Sequence, residues 1–177
     1  MRIIALAGLP GTGKSALARA LASELGAPVF DKDELRRRLF GPQAGYSAEQ
    51  NDAAARASYA EAAAALRAGA GVAILDGRTY SRRAHVEELR AFARELGAEF
   101  VLVHCRCDPS IARGRIERDR ALGTHLAPDR TVELHDRLAR ELEPIEADVT
   151  LDTGDRSAAT LARALLEGLG FDRGRPS

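Results

Sequence analysis

The stretch GLPGTGKS, residues 8 to 15, sets Gly8, Gly13, Lys14 and Ser15 at the spacing G-x-x-x-x-G-K-[ST], with Gly11 as an additional glycine. Residues without side chains let successive backbone N–H groups turn inward around phosphate oxygens, and a helix amino terminus behind them adds a favourable dipole. A lysine in this position reaches the β- and γ-phosphates of a nucleoside triphosphate, and the serine hydroxyl ligates Mg²⁺. The nucleotide-binding set expected from this segment is Gly8, Pro10, Gly11, Thr12, Gly13, Lys14 and Ser15, with Leu17 behind them. The chain has lysine only at Lys14 and Lys32, so a lysine inside the motif is informative.

Triphosphate binding alone does not choose a reaction. FDKDELRRRLF carries Asp31 and Asp33, which share a side if the preceding strand continues or flank one turn if a helix begins. A hydroxyl that is to be phosphorylated needs a carboxylate that orients it and accepts its proton. Asp33 is expected in that role, and Asp31 is expected to hold a water of the Mg²⁺ shell; helix capping is the alternative use of either. VAILDG ends on Asp76, an acid following an apolar strand and therefore expected to face Mg²⁺, so the metal set is Ser15, Asp31 and Asp76.

Arg113, Arg115, Arg118 and Arg120 fall within little more than two helical turns of CDPSIARGRIERDRALGTHLAPDR. Guanidinium forks bind phosphate oxygens bidentately, so Arg115, Arg118 and Arg120 are the candidates for neutralising the transferred group from a covering segment, with Arg115 also on the nucleotide. Arg36, Arg78 and Arg82, with Arg83 beside them, are the candidates for gripping the acceptor. Because arginine supplies nearly all the basic residues, a solvated position paired with a neighbouring acid is an equal reading for any one of them. His85, His104, His125 and His135 lack metal-ligand spacing and read as structural or surface residues.

These groups need a scaffold that brings them to one edge. RIIALA, APVFD, GVAILD, EFVLVHCRC and ADVTLDT read as five short apolar strands. They alternate with helical segments: Lys14 to Leu25, DELRRRLF, about Ala48 to Arg67, SRRAHVEELRAFARELG, two arginine-rich segments between Pro109 and Glu143, and SAATLARALLEGLG. Such alternation implies right-handed crossovers and a parallel sheet covered on both faces, with ligands at the carboxyl ends of the strands. The glycine loop, Asp31, Asp33 and Asp76 all fall at those ends.

A chain of 177 residues with 45% hydrophobic content suits one domain over residues 1–171, a covering segment at about 109–143 and a polar tail at 172–177. Formal net charge is zero, which does not favour nucleic acid as a partner and leaves phosphate binding to local groups. Cys105 and Cys107, two apart in one strand, are poorly placed to pair and read as small core residues in a reducing compartment. No run approaches a membrane span and no signal pattern opens the chain, so a cytoplasmic location is expected.

GLPGTGKSALARALA, DKDELRRRLFG, GYSAEQND, VAILDGRTYSRRAH, CDPSIARGRIERDR and DTGDRSAATLARAL together resemble the small P-loop kinases of the AAA-type group. These are relatives of chloramphenicol phosphotransferase, polynucleotide 5′-kinase, adenylylsulfate kinase and gluconate kinase. RCDPSIARGR with a later DR resembles the first of these branches, and GYSAEQND the adenylylsulfate kinases, although GRTYSRR stands where that branch carries a Ser-Pro-Tyr-Arg-like run. The resemblance implies an α/β three-layer P-loop NTPase fold of the nucleoside-kinase type, with a five-stranded sheet in the order 2-3-1-4-5 and a helical lid. It also implies ATP as donor and DTGDRS near the adenine, which adds Asp152 and Thr153 to the nucleotide set. The expected activity is transfer of the γ-phosphate of ATP to a hydroxyl of a small molecule. A polynucleotide 5′-hydroxyl or adenylylsulfate acceptor is one alternative, and a nucleotide-binding switch without a phosphorylated product is another.

Overall fold

The computed structural model describes residues 1–41, 47–123 and 130–171. Strand β1 (Arg2–Ala7) lies at the centre and alternates its side chains between two apolar layers, as period-two geometry requires. Ile3, Ala5 and Ala7 join one core cluster, while Ile4 and Leu6 join the other. Helices α1 (Lys14–Leu25) and α7 (Ala158–Gly168) close the Ile4 side through Leu17, Leu21, Leu161 and Leu165. Helices α3 (Ala48–Arg67) and α4 (Arg83–Glu95) close the Ile3 side through Tyr59, Leu66, Val86 and Leu89.

The remaining strands are β2 (Val29–Asp31), β3 (Val72–Asp76), β4 (Glu99–Arg106) and β5 (Val149–Asp152). All pairings are parallel and the order is β2-β3-β1-β4-β5, as the resemblance implies. The order reverses beside β1, so the loop after β1 opens at the topological switch point, where open parallel sheets bind ligands. Helix α2 (Lys32–Phe40) follows β2 directly, and helices α5 (Pro109–Leu122) and α6 (Val132–Glu141) fill the stretch between β4 and β5. Among the described residues no helix is long and apolar enough to cross a membrane.

Two of the boundaries that differ from the sequence reading bear on the site. Helix α2 starts at Lys32, one residue before the expected Asp33, because the Asp31 carboxylate caps it. Strand β4 stops at Arg106, and the chain then turns so that the Asp108 side chain can accept from Ser110 N at 2.8 Å and cap α5. Cys107 is therefore outside the strand and half-buried, unlike the buried Cys105, and is not a core residue. His125, the rest of 124–129, the loop residues 42–46 and the tail 172–177 lie outside the described residues.

Candidate active site

The loop between β1 and α1 is shaped by close backbone approach. Gly8 has φ +139 and Gly11 φ +83, and a Cβ on them would collide with the carbonyls of Cys105 and Ala112 respectively. Side chains are thus excluded twice, by conformation and by space. Lys14 Nζ lies at the centre of the loop and donates to Gly8 O at 2.7 Å and Leu9 O at 2.9 Å. Burial pulls its pKa down to about 8, against the opposing pull of the nearby Asp76 carboxylate.

Two cavities open from this loop. A cavity of about 420 Å³ runs past Gly11 and Gly13 toward Arg115, Thr153 and Arg156. A second, of about 750 Å³, runs past Pro10 and Lys14 toward α2, α3, the loop after β3, and α6. Ser15, Asp33 and Arg130 line both. On the first side, Thr153 Oγ1 lies 2.8 Å from Thr12 O and 3.0 Å from Arg106 O, and Arg115 donates to Thr153 O at 2.7 Å and approaches Gly11 O at 3.5 Å. Leu17 lines this cavity from below, whereas Asp152 does not line it: its Oδ1 accepts from Gly154 N at 2.9 Å and holds the turn.

The three aspartates meet at the strand ends but differ in use. Asp33, in the first turn of α2, is not the cap; its Oδ1 lies 3.2 Å from both Lys32 Nζ and Arg36 Nη1. The same two cations donate to Asn51 Oδ1 at 2.9 and 3.0 Å, so α3 holds the cluster that aims Asp33. Asp31 Oδ1 accepts from Asp33 N at 2.7 Å and Glu34 N at 3.3 Å, so the capping alternative holds for that oxygen while the residue still lines the first cavity. Burial, helped by the like charges of Asp76 and Asp33, raises the Asp31 carboxyl to about 6. Asp76 is buried beside β1, and its Oδ1 finds no hydrogen-bond partner among the described residues. A buried carboxylate oxygen without a donor is what a hard cation would satisfy, so Asp76 and the Ser15 hydroxyl fit an Mg²⁺ site. Among the described residues no group of three or more His, Cys, Asp or Glu is placed to hold a metal ion.

The arginines separate sharply. Arg36 and Arg82 line the second cavity, and so does Arg78, whose guanidinium is tied to Tyr59 Oη (2.9 Å), Glu88 (3.3 Å) and Asp52 (3.0 Å). Arg83 instead donates its Nε to the Pro144 carbonyl at 3.1 Å, and its backbone N–H to Glu143 at 2.8 Å. Arg118 and Arg120 are exposed and line neither cavity, a correction to their expected place. Asp119, one turn on from Arg115 and about 40° from it at about 100° per residue, lines the first cavity beside it. Arg113 pairs with Asp136 of α6 at 2.9 Å. Arg130, just before α6, lines both cavities; burial lowers its pKa, opposed by Asp119, Asp76, Asp33 and Asp31.

A family model, the AAA domain, matches residues 3–145. A shikimate kinase of Pseudomonas syringae pv. tomato is 31% identical over 168 residues, covering 88% of this chain and 89% of its own. The chain belongs to the small P-loop kinases. A Corynebacterium glutamicum shikimate kinase is 29% identical over 174 residues, 96% of this chain and 98% of its own. The Mycobacterium tuberculosis APS kinase in complex with AMPPNP and APS shares the fold of this small P-loop kinase at a TM-score of 0.70, with 22% identity and 96% and 97% of the two chains covered. The shikimate kinases add a branch that the sequence analysis does not name.

Sequence reasoning passed over Arg130, Asn51, Asp119 and His135. Arg130 ends CDPSIARGRIERDRALGTHLAPDR and Asn51 lies in GYSAEQND, so both were inside quoted segments without a spacing rule to give them work. His135 is buried, with Nδ1 2.8 Å from Pro10 O, and nothing in the residues around it signals that long-range contact.

Proposed function

We propose that this small P-loop kinase moves the γ-phosphate of ATP to a hydroxyl of a small anionic acceptor in the cytoplasm, where ATP and Mg²⁺ are maintained. The observation that carries the reading is the junction: Ser15, Asp33 and Arg130 are the residues common to both cavities, so donor and acceptor meet at a hydroxyl, a carboxylate and a guanidinium. The triphosphate lies in the main-chain cradle of residues 11 to 15 with Lys14 beside it, and the nucleoside extends past Thr153 and Arg115. Asp33 accepts a hydrogen bond from the acceptor hydroxyl and takes its proton as the new P–O bond forms and the bond to the ADP oxygen breaks. Bound Mg²⁺ on Ser15 and Asp76 would supply neutralisation of phosphate charge. Arg130 faces the group in transit, where a fixed cation stabilises charge without reorganisation.

The lining of the second cavity supports an anionic acceptor. Besides Lys14, it carries Lys32, Arg36, Arg78, Arg82, Arg130 and Arg137, against Asp33, Asp52, Glu141 and Glu143. Arg82, in the loop before α4, and Arg137, on α6, are exposed side chains of this lining and are the candidates to fork a carboxylate, sulfate or phosphate of the acceptor. The test is labelled ATP with shikimate, adenylylsulfate, sugar acids and the corresponding neutral polyols, scored as product above hydrolysis. Transfer to anionic hydroxyl compounds is expected; transfer only to neutral ones overturns the acceptor class, and ATP turnover without any phosphorylated product overturns the kinase reading.

A further inference from the structure

Helix α6 presents Leu134, Arg137, Leu138 and Glu141, spaced i, i+3, i+4 and i+7, to the second cavity. That face forms one wall of the acceptor site, yet the helix lies outside the sheet, and its register over the phosphate loop has to be set by something. Arg113 of α5 reaches Asp136 of α6, which ties the two helices to each other but to neither the sheet nor the loop. Thr131 caps α6 through Leu134 N at 3.2 Å, an interaction internal to the helix. His135 is different: it is 3% exposed, and its Nδ1 is 2.8 Å from the carbonyl of Pro10, 125 residues away inside the glycine loop. A carbonyl oxygen only accepts, so Nδ1 carries the proton and donates.

We propose that His135 is a positioning residue for phosphoryl transfer, keying α6 and its acceptor-facing wall to the loop that holds the phosphates. The inference rests on the kinase reading above but adds to it a defined link between the two halves of the site. Pro10 has its carbonyl on the His135 bond while the next peptides, from Gly11 on, form the cradle. A loop steadied by phosphate therefore offers His135 a steadier acceptor, and the local opening of α6 becomes rarer. Arg137, two residues beyond His135, lies on the same helix, and Arg130 stands two residues ahead of its first turn.

The test is amide hydrogen exchange with and without AMPPNP and Mg²⁺, which needs no identified acceptor. In the unaltered chain AMPPNP is expected to slow exchange across residues 132–141 by about threefold or more, alongside the loop and α1. His135→Phe keeps a ring of similar size and removes the donor; it should bind AMPPNP within about twofold and still protect the loop, while the added protection of 132–141 disappears. His135→Asn puts an amide N–H near the Nδ1 position and should restore part of that protection, which a purely space-filling role would not do. Unchanged AMPPNP-dependent protection of α6 in His135→Phe overturns the inference, as does absence of that protection in the unaltered chain. Failure of the unaltered chain to bind AMPPNP strikes the kinase reading instead, so the two outcomes are separable. Should His135→Phe not fold, the Asn variant decides alone: protection of α6 at less than the unaltered level but above none supports the link, and none at all with AMPPNP still bound counts against hydrogen bonding through Nδ1.

Discussion

The two cavities that meet at Asp33 are built in opposite ways. The nucleotide side is largely main chain: residues 8 to 15 are consecutive, two of their glycines leave no room for a Cβ, and Lys14 sits within the same loop. The acceptor side is mostly side chain, drawn beyond the loop from α2, α3, the loop after β3, and α6, with Lys32 and Arg137 more than a hundred residues apart. A cradle of backbone amides accepts any triphosphate tail and is specified by a short local string. A wall of side chains from distant elements is specified only once the fold has assembled it, and it can be altered residue by residue without disturbing the cradle. On the proposed reading, then, the glycine loop identifies a class of donor, and the second cavity decides what is phosphorylated.

The strongest way to break this division is at the junction. Asp33→Asn keeps size and leaves the phosphate loop intact, so AMPPNP affinity should stay within about twofold while transfer to an accepted hydroxyl compound falls by about 10²- to 10⁴-fold. A nucleotide-binding switch would lose neither. Titration of AMPPNP beside a labelled-ATP assay reads both quantities, and equal loss in the two would mean that Asp33 serves the nucleotide side after all.

Next in size is the contrast between Arg130 and Arg118. Arg130 lines both cavities and lies among Asp119, Asp76, Asp33 and Asp31, whereas Arg118 is an exposed residue of α5. Arg130→Ala should lower transfer by about 10²- to 10³-fold, the usual cost of removing one charge-stabilising group, and Arg118→Ala should leave it within about twofold. Comparable losses from both variants would restore the α5 arginines to the site and show that α5 presents a different face during turnover.

What could be read from the sequence follows the same line. Helix α3 runs over Ala48–Arg67, and all five strands fall where short apolar runs end at glycine, aspartate or a polar turn, because periodicity and breakers are local signals. The glycine loop was legible for the same reason. Asp33 and Asp31 were legible as a pair but not in their division of labour, since whether an acid caps a helix or faces a cavity depends on where the first helical N–H groups point. Arg115, Arg118 and Arg120 were legible as candidates but not as to which of them meets a cavity: Arg115 lines the first, while Arg118 and Arg120 are exposed, a matter of how α5 is rotated against its neighbours. His135 was read as structural or surface, and its bond to Pro10 links positions 125 residues apart, which no window along the chain contains.

The smallest expected effect is on stability, and it probes the acid shared between capping and the nucleotide cavity. Asp31 has a folded pKa raised to about 6 from its usual 3.8, by burial first and then by Asp76 and Asp33. Below about pH 4 both folded and unfolded chains hold this proton and Asp31 costs nothing; between about 4 and 6 the folded chain retains a proton that the unfolded chain has released, so stability falls as pH rises, and above about 6 the loss is constant. Asparagine caps helices about as well as aspartate and carries no charge. Asp31→Asn should therefore be more stable than the unaltered chain by about 2 kcal/mol at pH 8 in the absence of Mg²⁺, with the advantage shrinking to nothing on acidification to pH 4. Urea denaturation at a series of pH values measures it. An advantage that is the same at every pH would trace the effect to the cap rather than the charge, and one that grows on acidification would mean that Asp31 is held ionised by a cation the structure does not place beside it. Adding Mg²⁺ sharpens the result: if Asp31 helps to hold the ion's shell, Mg²⁺ should narrow the gap by stabilising the unaltered chain more than Asp31→Asn, and if the carboxylate only caps α2, the gap should stay as it was.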